Sequence, residues 1–497
     1  MAVTRAGAQP RSGGAQAEPE GALLQLRLPG ELALRQSAMT TLPLEVTPGS
    51  RTMPPSLGQN LWFESWIRMR PRLSIGPRFR VQFSFDLARA VIADQPAAGV
   101  SIEREPRTET LPYGALDLRT GYLEWDAPVG LFRVGQQGFT WGLGMLANDG
   151  EQRPLFGDYR HGDLVERVAF ATRPMGPHSS IVTAVAGDLV YRDRVTRLDR
   201  GDVAVQGVLS LFYQHHACVE RCEERRVGAL LSYRDLSFGN GRMLRVWAAD
   251  LAARWRWPTP DGSGEVFAGV EAALVAGRTD AAETSLQRTH EVLQFGALAE
   301  LGIARPGRYR VVLEGGYSSG DRNPLDGRQG RFTFNPSHRV GLLLFPEVLQ
   351  WQVARSAEIA RDPELAARPA NGASLLTTQG GVANAAYLYP QGQVQLGPYL
   401  DLRAAMVIGV SSSDVVDPSA VQRYGEARNY RGGDASRRDL GLEVDLGLEA
   451  RYPLEQGLVV QGGVQGAVLF PGRALDAAMG QPMPRMGLLT ARVGLSF

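Results

Sequence analysis

The chain contains no lysine. All 53 of its basic residues are arginine, so every positive charge is a guanidinium that stays protonated and can grip a carboxylate or phosphate with two N–H groups. Against 52 acids the net charge is only +1, which gives no case for a nucleic-acid partner. No stretch approaches the roughly 18 apolar residues of a transmembrane helix. Cysteine is reduced to two residues, Cys218 and Cys222. That spacing in a turn is compatible with a small disulfide in an oxidising compartment and equally with two free thiols. Even beside His215 and His216, two thiols are too few for a metal site, and no metal or cofactor is expected.

Catalytic signals are missing too. The six histidines, His161, His178, His215, His216, His290 and His338, stand in no recognisable nucleophile–base order, so no enzyme is expected. The glycines of SFGNGR (237–242) and GSGE (262–265) are turn glycines rather than phosphate loops, because no helix follows them. Nothing between Gln59 and the end reads as a linker, so the expected organisation is a tail over 1–20 and one domain over 21–497. Met1 to Glu20 shows no apolar core of the signal-peptide kind, whereas the membrane fold derived below requires secretion.

What the chain does have is alternation. At its end, Leu489, Ala491, Val493, Leu495 and Phe497 are apolar, with Thr490, Arg492, Gly494 and Ser496 between them. In 440–452, Leu440, Leu442, Val444, Leu446, Leu448, Ala450 and Tyr452 alternate with Gly441, Glu443, Asp445, Gly447, Glu449 and Arg451. A period of two is a strand with one apolar face. A run of this length exceeds the usual strand of about 5–6 residues and suits a tilted strand crossing a bilayer, which needs about 9–11. The sequence therefore predicts an all-β fold, a transmembrane antiparallel up-and-down β-barrel of about 18 strands.

Strands are expected near 22–35, 60–75, 78–91, 114–127, 130–145, 163–174, 179–191, 202–214 and 225–234. The rest are expected near 243–257, 264–276, 292–304, 307–318, 374–389, 393–411, 439–452, 457–470 and 486–497. With both termini periplasmic, every second connection should be short. Those fall at 76–77, 128–129, 174–177, 215–224, 258–263, 305–306, 390–391 and 453–456, most of them with Pro or Gly. The alternate connections include the longer 92–113, 146–162, 277–291, 319–373 and 412–438. Short periplasmic turns and long external loops are the expected asymmetry. Within 319–373, Glu347 to Arg361 reads as a short helix over or inside the pore, and Arg339 to Phe345 reads either as a further strand or as part of that loop.

Trp255, Trp257, Tyr387, Tyr389 and Tyr452 fall beside expected periplasmic turns, and with Phe497 they form the expected membrane girdle. The opposite face lines the lumen. There the expected anion-selecting residues are Arg68, Arg70, Arg72, Arg78, Arg80, Arg133, Arg254, Arg256, Arg308, Arg310, Arg451 and Arg492. The competing reading has these arginines pairing with carboxylates across strands and only stiffening the wall. Expected lumen acids include Glu64, Asp86, Asp250, Glu300, Glu314, Glu443, Asp445 and Glu449.

Three segments, GLFRVGQQGFTWGLGMLANDG (130–150), HGDLVERVAFATRP (161–174) and GGYSSGDRNPLDGRQGRFTFNPSHRVGLLLFPEVL (315–349), together with the hairpin over 61–89, resemble a family of myxobacterial outer-membrane barrels. They resemble alginate-export-type porins more distantly. The resemblance implies a monomeric barrel in the bacterial outer membrane. It suggests export of an anionic polysaccharide, received from a periplasmic export protein, or passage of small polar solutes. The expected partners are outer-membrane lipid and, through the C-terminal strand, the barrel-assembly machinery. A general diffusion porin is the alternative. A non-transport barrel, serving as an adhesion platform or an enzyme, is a third reading.

Overall fold

Strands with one apolar face and one mixed face can cross lipid only if every backbone N–H and C=O is paired, which forces the sheet to close. The computed structural model describes residues 24–44, 56–58, 60–93, 116–157, 162–218, 222–281, 288–324, 326–365 and 377–497. The tail expected over 1–20 lies outside the described residues. A single sheet of 21 strand pieces runs through the molecule. Leu24–Arg27, Arg72–Ile75 and Arg328–Gln329 are short additions, and the other 18 are the staves of a closed antiparallel barrel.

The staves are β1 (Gly30–Met39), β2 (Leu61–Met69, prolonged by Arg72–Ile75), β3 (Phe79–Ala93), β4 (Leu116–Ala127), β5 (Gly130–Gly138) and β6 (Leu164–Thr172). Next come β7 (Ile181–Arg192), β8 (Val203–Cys218), β9 (Cys222–Ser237), β10 (Met243–Pro258), β11 (Glu265–Thr279) and β12 (His290–Arg305). The last are β13 (Tyr309–Ser318), β14 (Ala385–Gln395), β15 (Leu400–Val410), β16 (Asp439–Pro453), β17 (Val459–Pro471) and β18 (Met486–Ser496). Each pairs with its neighbours in sequence, and β1 closes on β18 from Glu31 opposite Ser496 to Met39 opposite Leu488. Gly30 and Phe497 exchange both backbone hydrogen bonds, at 2.9 and 3.0 Å, so the final residue seals the seam.

All the connections at one end are short: 76–78, 128–129, 173–180, 219–221, 259–264, 306–308, 396–399 and 454–458. The other end carries the long ones, including 139–163, 319–384 and 411–438. These are called the turn end and the loop end below.

Several boundaries differ from expectation: the strand expected from 374 begins at Ala385, and the turn expected over 215–224 tightens to 219–221. The first strand is interrupted at Leu28 and Pro29 and then continues to Met39 rather than ending near 35. β5 stops at Gly138, after which the chain turns into the lumen. The turn expected at Pro390 and Gln391 lies inside β14, and the chain reverses instead at 396–399. Proline lacks an N–H for the ladder. It is accommodated where the pairing to β15 skips from Leu388 opposite Ile408 to Gln391 opposite Ala405. At the β8–β9 hairpin the backbones of Cys218 and Cys222 are register partners; their side chains, on which the disulfide expectation rests, lie outside the described residues.

The outer surface is apolar. Val168, Leu209, Leu251, Leu301, Leu446 and Val493 are among many large side chains exposed there, a coat that only lipid makes tolerable. At the turn end Phe79, Trp125, Phe132 and Phe170 of four adjacent staves stack at centroid distances of 5.9, 5.4 and 4.7 Å. Trp257, Tyr309 and Phe497 are exposed near the same end, and Tyr452 packs on Tyr399 at 5.0 Å. Toward the loop end Tyr233 packs on Trp247, at 4.8 Å, and Phe295 on Tyr317, at 6.0 Å. Trp247 and Trp257 are separated by ten residues of β10. At ~3.4 Å per residue and a tilt near 40°, that spans ~26 Å, matching an apolar band about 25 Å tall.

Candidate functional site

Inside the barrel, the loops do not stay at the rim. Leu42 and Leu57, Met145 and Phe156, and Phe334 and Trp351 come in pairs from three loops and are all buried in one apolar cluster. That cluster packs against inward residues of the wall, including Trp62, Leu298, Val407 and Leu469. The helix expected over 347–361 forms as a π-helical turn over Leu344–Leu349 followed by α1 (Gln350–Arg361), and it is nearly all buried within the lumen. Residues 339–345 belong to this inward loop and not to a further stave. A second helix, α2 (Pro418–Tyr424), carries the N-cap Asp417, which accepts a hydrogen bond from Ser356 of α1. The loops thus build an apolar plug that leans on the β11–β18 side.

Wall acids hold the plug by its backbone. Glu443 of β16 accepts from the amides of Leu342, Leu343 and Leu344 at 2.5, 2.8 and 2.7 Å. These amides precede the first helical turn and have no partner within it, so the barrel wall caps the plug helix. The approach is close: a Cβ at Gly341 (φ +67°) would lie 2.7 Å from Glu443 Oε1, which calls for glycine there. Glu271 of β11 does the same for another loop, accepting from the amides of Leu143, Met145 (3.1 Å) and Leu146 (3.2 Å). Glu314 of β13 accepts from Tyr387 Oη at 2.7 Å and lies 3.1 Å from His338 Nε2. Burial alone would lower the His338 pKa, but the Glu314 carboxylate outweighs it and holds the imidazole above its ordinary value.

Tyr387 and Tyr389 are therefore not girdle residues. Both are buried inside, because β14 runs on past them to Gln395 and its register points both of them into the lumen, with Leu388 outward. Trp255 and Trp257 lie on the outward face of β10, and Tyr452 and Phe497 are exposed at the turn end.

The arginines divide into three groups. Arg68 stands opposite Asp86 in register and binds it at 2.7 and 3.0 Å; Arg35–Glu64 and Arg167–Asp188 repeat the pattern. Cross-strand neighbours on one face lie close enough that opposite charges there pair directly. Arg70 bridges Glu31 and Glu151, both at 3.2 Å. A second group rings the turn end of the lumen. Glu124 serves both Arg80 and Arg133, and Glu449 serves Arg403, Arg451 and Arg492. Arg254 and Arg256 reach Glu300 and Glu265 only at 3.6 Å, with side chains 41% and 42% exposed. Arg72 donates to Gln82, while Arg226 and Arg310 lie over the rings of Phe212 and Phe267 at 4.6 and 4.4 Å. Arg78 and Arg308, the third group, are placed in the turns 76–78 and 306–308 rather than on the wall. The turn-end vestibule thus holds more guanidiniums than carboxylates.

Between the plug and the β6–β12 wall, in the loop-end half, lies a cavity of about 230 Å3. Its wall is largely apolar, with Val208, Leu230, Val246, Val275 and Val292 on five consecutive staves. Its polar groups satisfy one another. Arg234 binds Asp193 (2.5 Å) and Gln206 (2.9 Å), and Asn335 donates to Asp163 at 2.7 Å. Burial, and then the neighbouring Asp193, push the Asp163 carboxyl up to about 8, so it is protonated at neutral pH. The loop 139–147 forms the sill beneath. Phe139, Leu146 and Ala147 line the cavity, whereas Trp141 and Gly142 face Arg226 and Arg254 of the vestibule.

The sequence reading did not find this cavity or the anchoring role of Glu271. The available signal was in β7 and β8, whose inward faces carry Val182, Ala184, Val190, Ala204, Val208 and Phe212 among the polar Asp188, Gln206 and Ser210.

No protein-family model matches the chain, and no curated protein sequence does. Solved structures resemble it in architecture. Pseudomonas aeruginosa OccK11 (OpdR) has 11% identity and a TM-score of 0.46, with 95% of each chain covered. Acinetobacter baumannii OccAB1 has 9% identity and a TM-score of 0.47, covering 95% of this chain and 96% of its own. Pseudomonas aeruginosa OpdK with vanillate has 10% identity and a TM-score of 0.45, covering 95% and 98%.

Proposed function

We propose that the chain is a bacterial outer-membrane channel for small solutes, with its turn end in the periplasm and its lumen constricted from the outside by the inward-folded loops. The observation that carries this is the contrast along the lumen. At the turn end guanidiniums outnumber their acids, and loop 139–147 lies between those arginines and the largely apolar cavity on its other side. A ring of arginines sharing too few acids favours anions at that mouth. The apolar coat and its two aromatic belts fit an outer-membrane location, and the exposed C-terminal stave is the element the assembly machinery would read. Export of a polysaccharide has only the family resemblance behind it, since a polymer would need the whole plug displaced.

Planar-bilayer recordings test this. The purified barrel should conduct, and in a salt gradient its reversal potential should have the sign of anion preference. Arg72→Glu with Arg80→Glu should shift it toward cations. A cation-selective pore, or one indifferent to those changes, would refute the charge argument. A barrel that never conducts, even with 347–361 deleted, would leave a non-transport role.

A further inference from the structure

The cavity beside the plug has a lining that selects for chemistry. Its 230 Å3 exceeds the ~150 Å3 of an apolar cavity known to stay dry and accept benzene, so it suits one ring with a short substituent. The apolar flank is continuous across β8 to β12 through Val208, Leu230, Val246, Val275 and Val292, and Phe139 and Phe332 face it from the loops. At the other flank, two of the three guanidiniums are already seated on carboxylates. Arg167 spends Nε and Nη2 on Asp188, each at 2.6 Å. Arg234 spends Nε on Gln206 and Nη1 on Asp193. Arg194 donates to the Thr377 carbonyl at 3.4 Å.

A ligand carboxylate approaching Arg167 or Arg234 would have to displace Asp188 or Asp193, each seated on its own guanidinium, and would lose its hydration in the exchange. A sugar would leave its hydroxyls facing valines. A neutral acceptor has a different balance. Arg167 Nη1 and Arg234 Nη2 still carry N–H groups that these partners do not use, and either can donate to a carbonyl or hydroxyl oxygen without disturbing the ion pairs.

We infer that this cavity binds a small neutral molecule, about one aromatic ring in size, that carries a single hydrogen-bond acceptor, and that it discriminates against carboxylates and sugars of the same size. The inference deepens the channel reading and rests on it for the ligand's passage, though not for its binding. The basic vestibule and the neutral cavity then act in series, and the second filter decides what lingers.

Calorimetric titration of the folded barrel in lipid nanodiscs, with empty nanodiscs subtracted, tests the inference using acetophenone, benzoate and glucose as probes. Acetophenone should bind at one per barrel, benzoate at least tenfold more weakly, and glucose not at all. Val208→Trp fills the apolar flank and should weaken acetophenone at least tenfold while the barrel keeps its heat-dependent gel mobility. If that variant does not fold, Val246→Phe makes the same test from the next stave but one. Benzoate binding as tightly as acetophenone, no acetophenone binding to the unaltered barrel, or undiminished binding in the folded variant would overturn the inference. Acetophenone binding by a barrel that carries no current would overturn the channel reading and leave the site standing. Conductance without binding would do the reverse.

Discussion

Replacing Glu271 by alanine should open the sill between the vestibule and the cavity. In the closed arrangement this one carboxyl group collects the amides of Leu143, Met145 and Leu146, and it is 1% exposed, so water cannot substitute for it while the loop stays in place. A buried amide left without a partner costs about 1–3 kcal/mol, and three of them cost about 3–9 kcal/mol. At ~1.4 kcal/mol per factor of ten, the balance between seated and released loop shifts by a factor on the order of 10² to 10⁶. The barrel itself should survive, because its backbone ladder does not use the Glu271 side chain.

The assay is single-channel conductance in planar bilayers, paired with amide hydrogen exchange of 139–147. Glu271→Ala should raise the conductance and the open fraction and remove the protection of those three amides. Glu271→Gln retains a carbonyl acceptor and should fall between. Gly142→Val reaches the same end by crowding, since a Cβ at Gly142 (φ +56°) would lie 2.5 Å from Glu271 Oε2 and 2.9 Å from the Ala252 methyl. If Glu271→Ala conducts like the unaltered barrel and the amides of Leu143 and Leu146 stay protected, the loop is held by something else and the sill argument fails.

Acid should tighten the plug. Asp163 titrates near 8 in the seated loop against an ordinary value of 3.8, so its contribution is complete below about pH 4 and is lost as the pH rises through 8. His338 is also raised when seated, so its contribution has the same sign and is lost above its elevated pKa. Open probability should therefore climb between about pH 4 and 8, and Asp163→Asn should flatten the lower part of that rise. Deleting Phe497 removes both bonds to Gly30 and the ring that covers it, and the folded fraction on heat-modifiability gels should drop severalfold; normal insertion would count against the seam as described. Arg254→Glu with Arg256→Glu should reduce anion preference by several-fold in reversal-potential measurements. Exchanging the charges of the Arg68–Asp86 pair should leave it unchanged, because that pair is internally neutral and buried.

The staves were legible because each is locally self-describing. An alternation such as Leu446, Gly447, Leu448, Glu449 states which side meets lipid without reference to any other part of the chain, and the short turns then fix the order. The arginines illustrate the limit of that logic. Periodicity placed Arg68, Arg133 and Arg492 in the lumen, but whether each is a free charge depends on register. Register of Arg68 with Asp86 and of Arg133 with Glu124 is a property of two strands at once, and Arg492 reaches Glu449 across the intervening β17. Tyr387 and Tyr389 went wrong for a related reason, since the ladder tolerates Pro390 as a gap in the pairing to β15 with the register unchanged, and β14 continues where a turn was expected.

The plug was legible only as a helix over 347–361, because the residues before it obey no period. GLLLFPEVL (341–349) is apolar in consecutive positions, a pattern that fits neither a stave nor a solvated external loop, and only an interior can pay for it. The wall carries the complementary mark. A stave around an aqueous channel needs polar inward residues, whereas β7 and β8 present Val182, Ala184, Val208 and Phe212 to the lumen. An apolar inward face requires something apolar opposite it, and there are two ways to supply that. Around β11 to β18 the chain supplies it from its own loops. Across β8 to β12 at the cavity it leaves about 230 Å3 unfilled, so the lining that would otherwise pack on a plug is left free to contact an apolar guest.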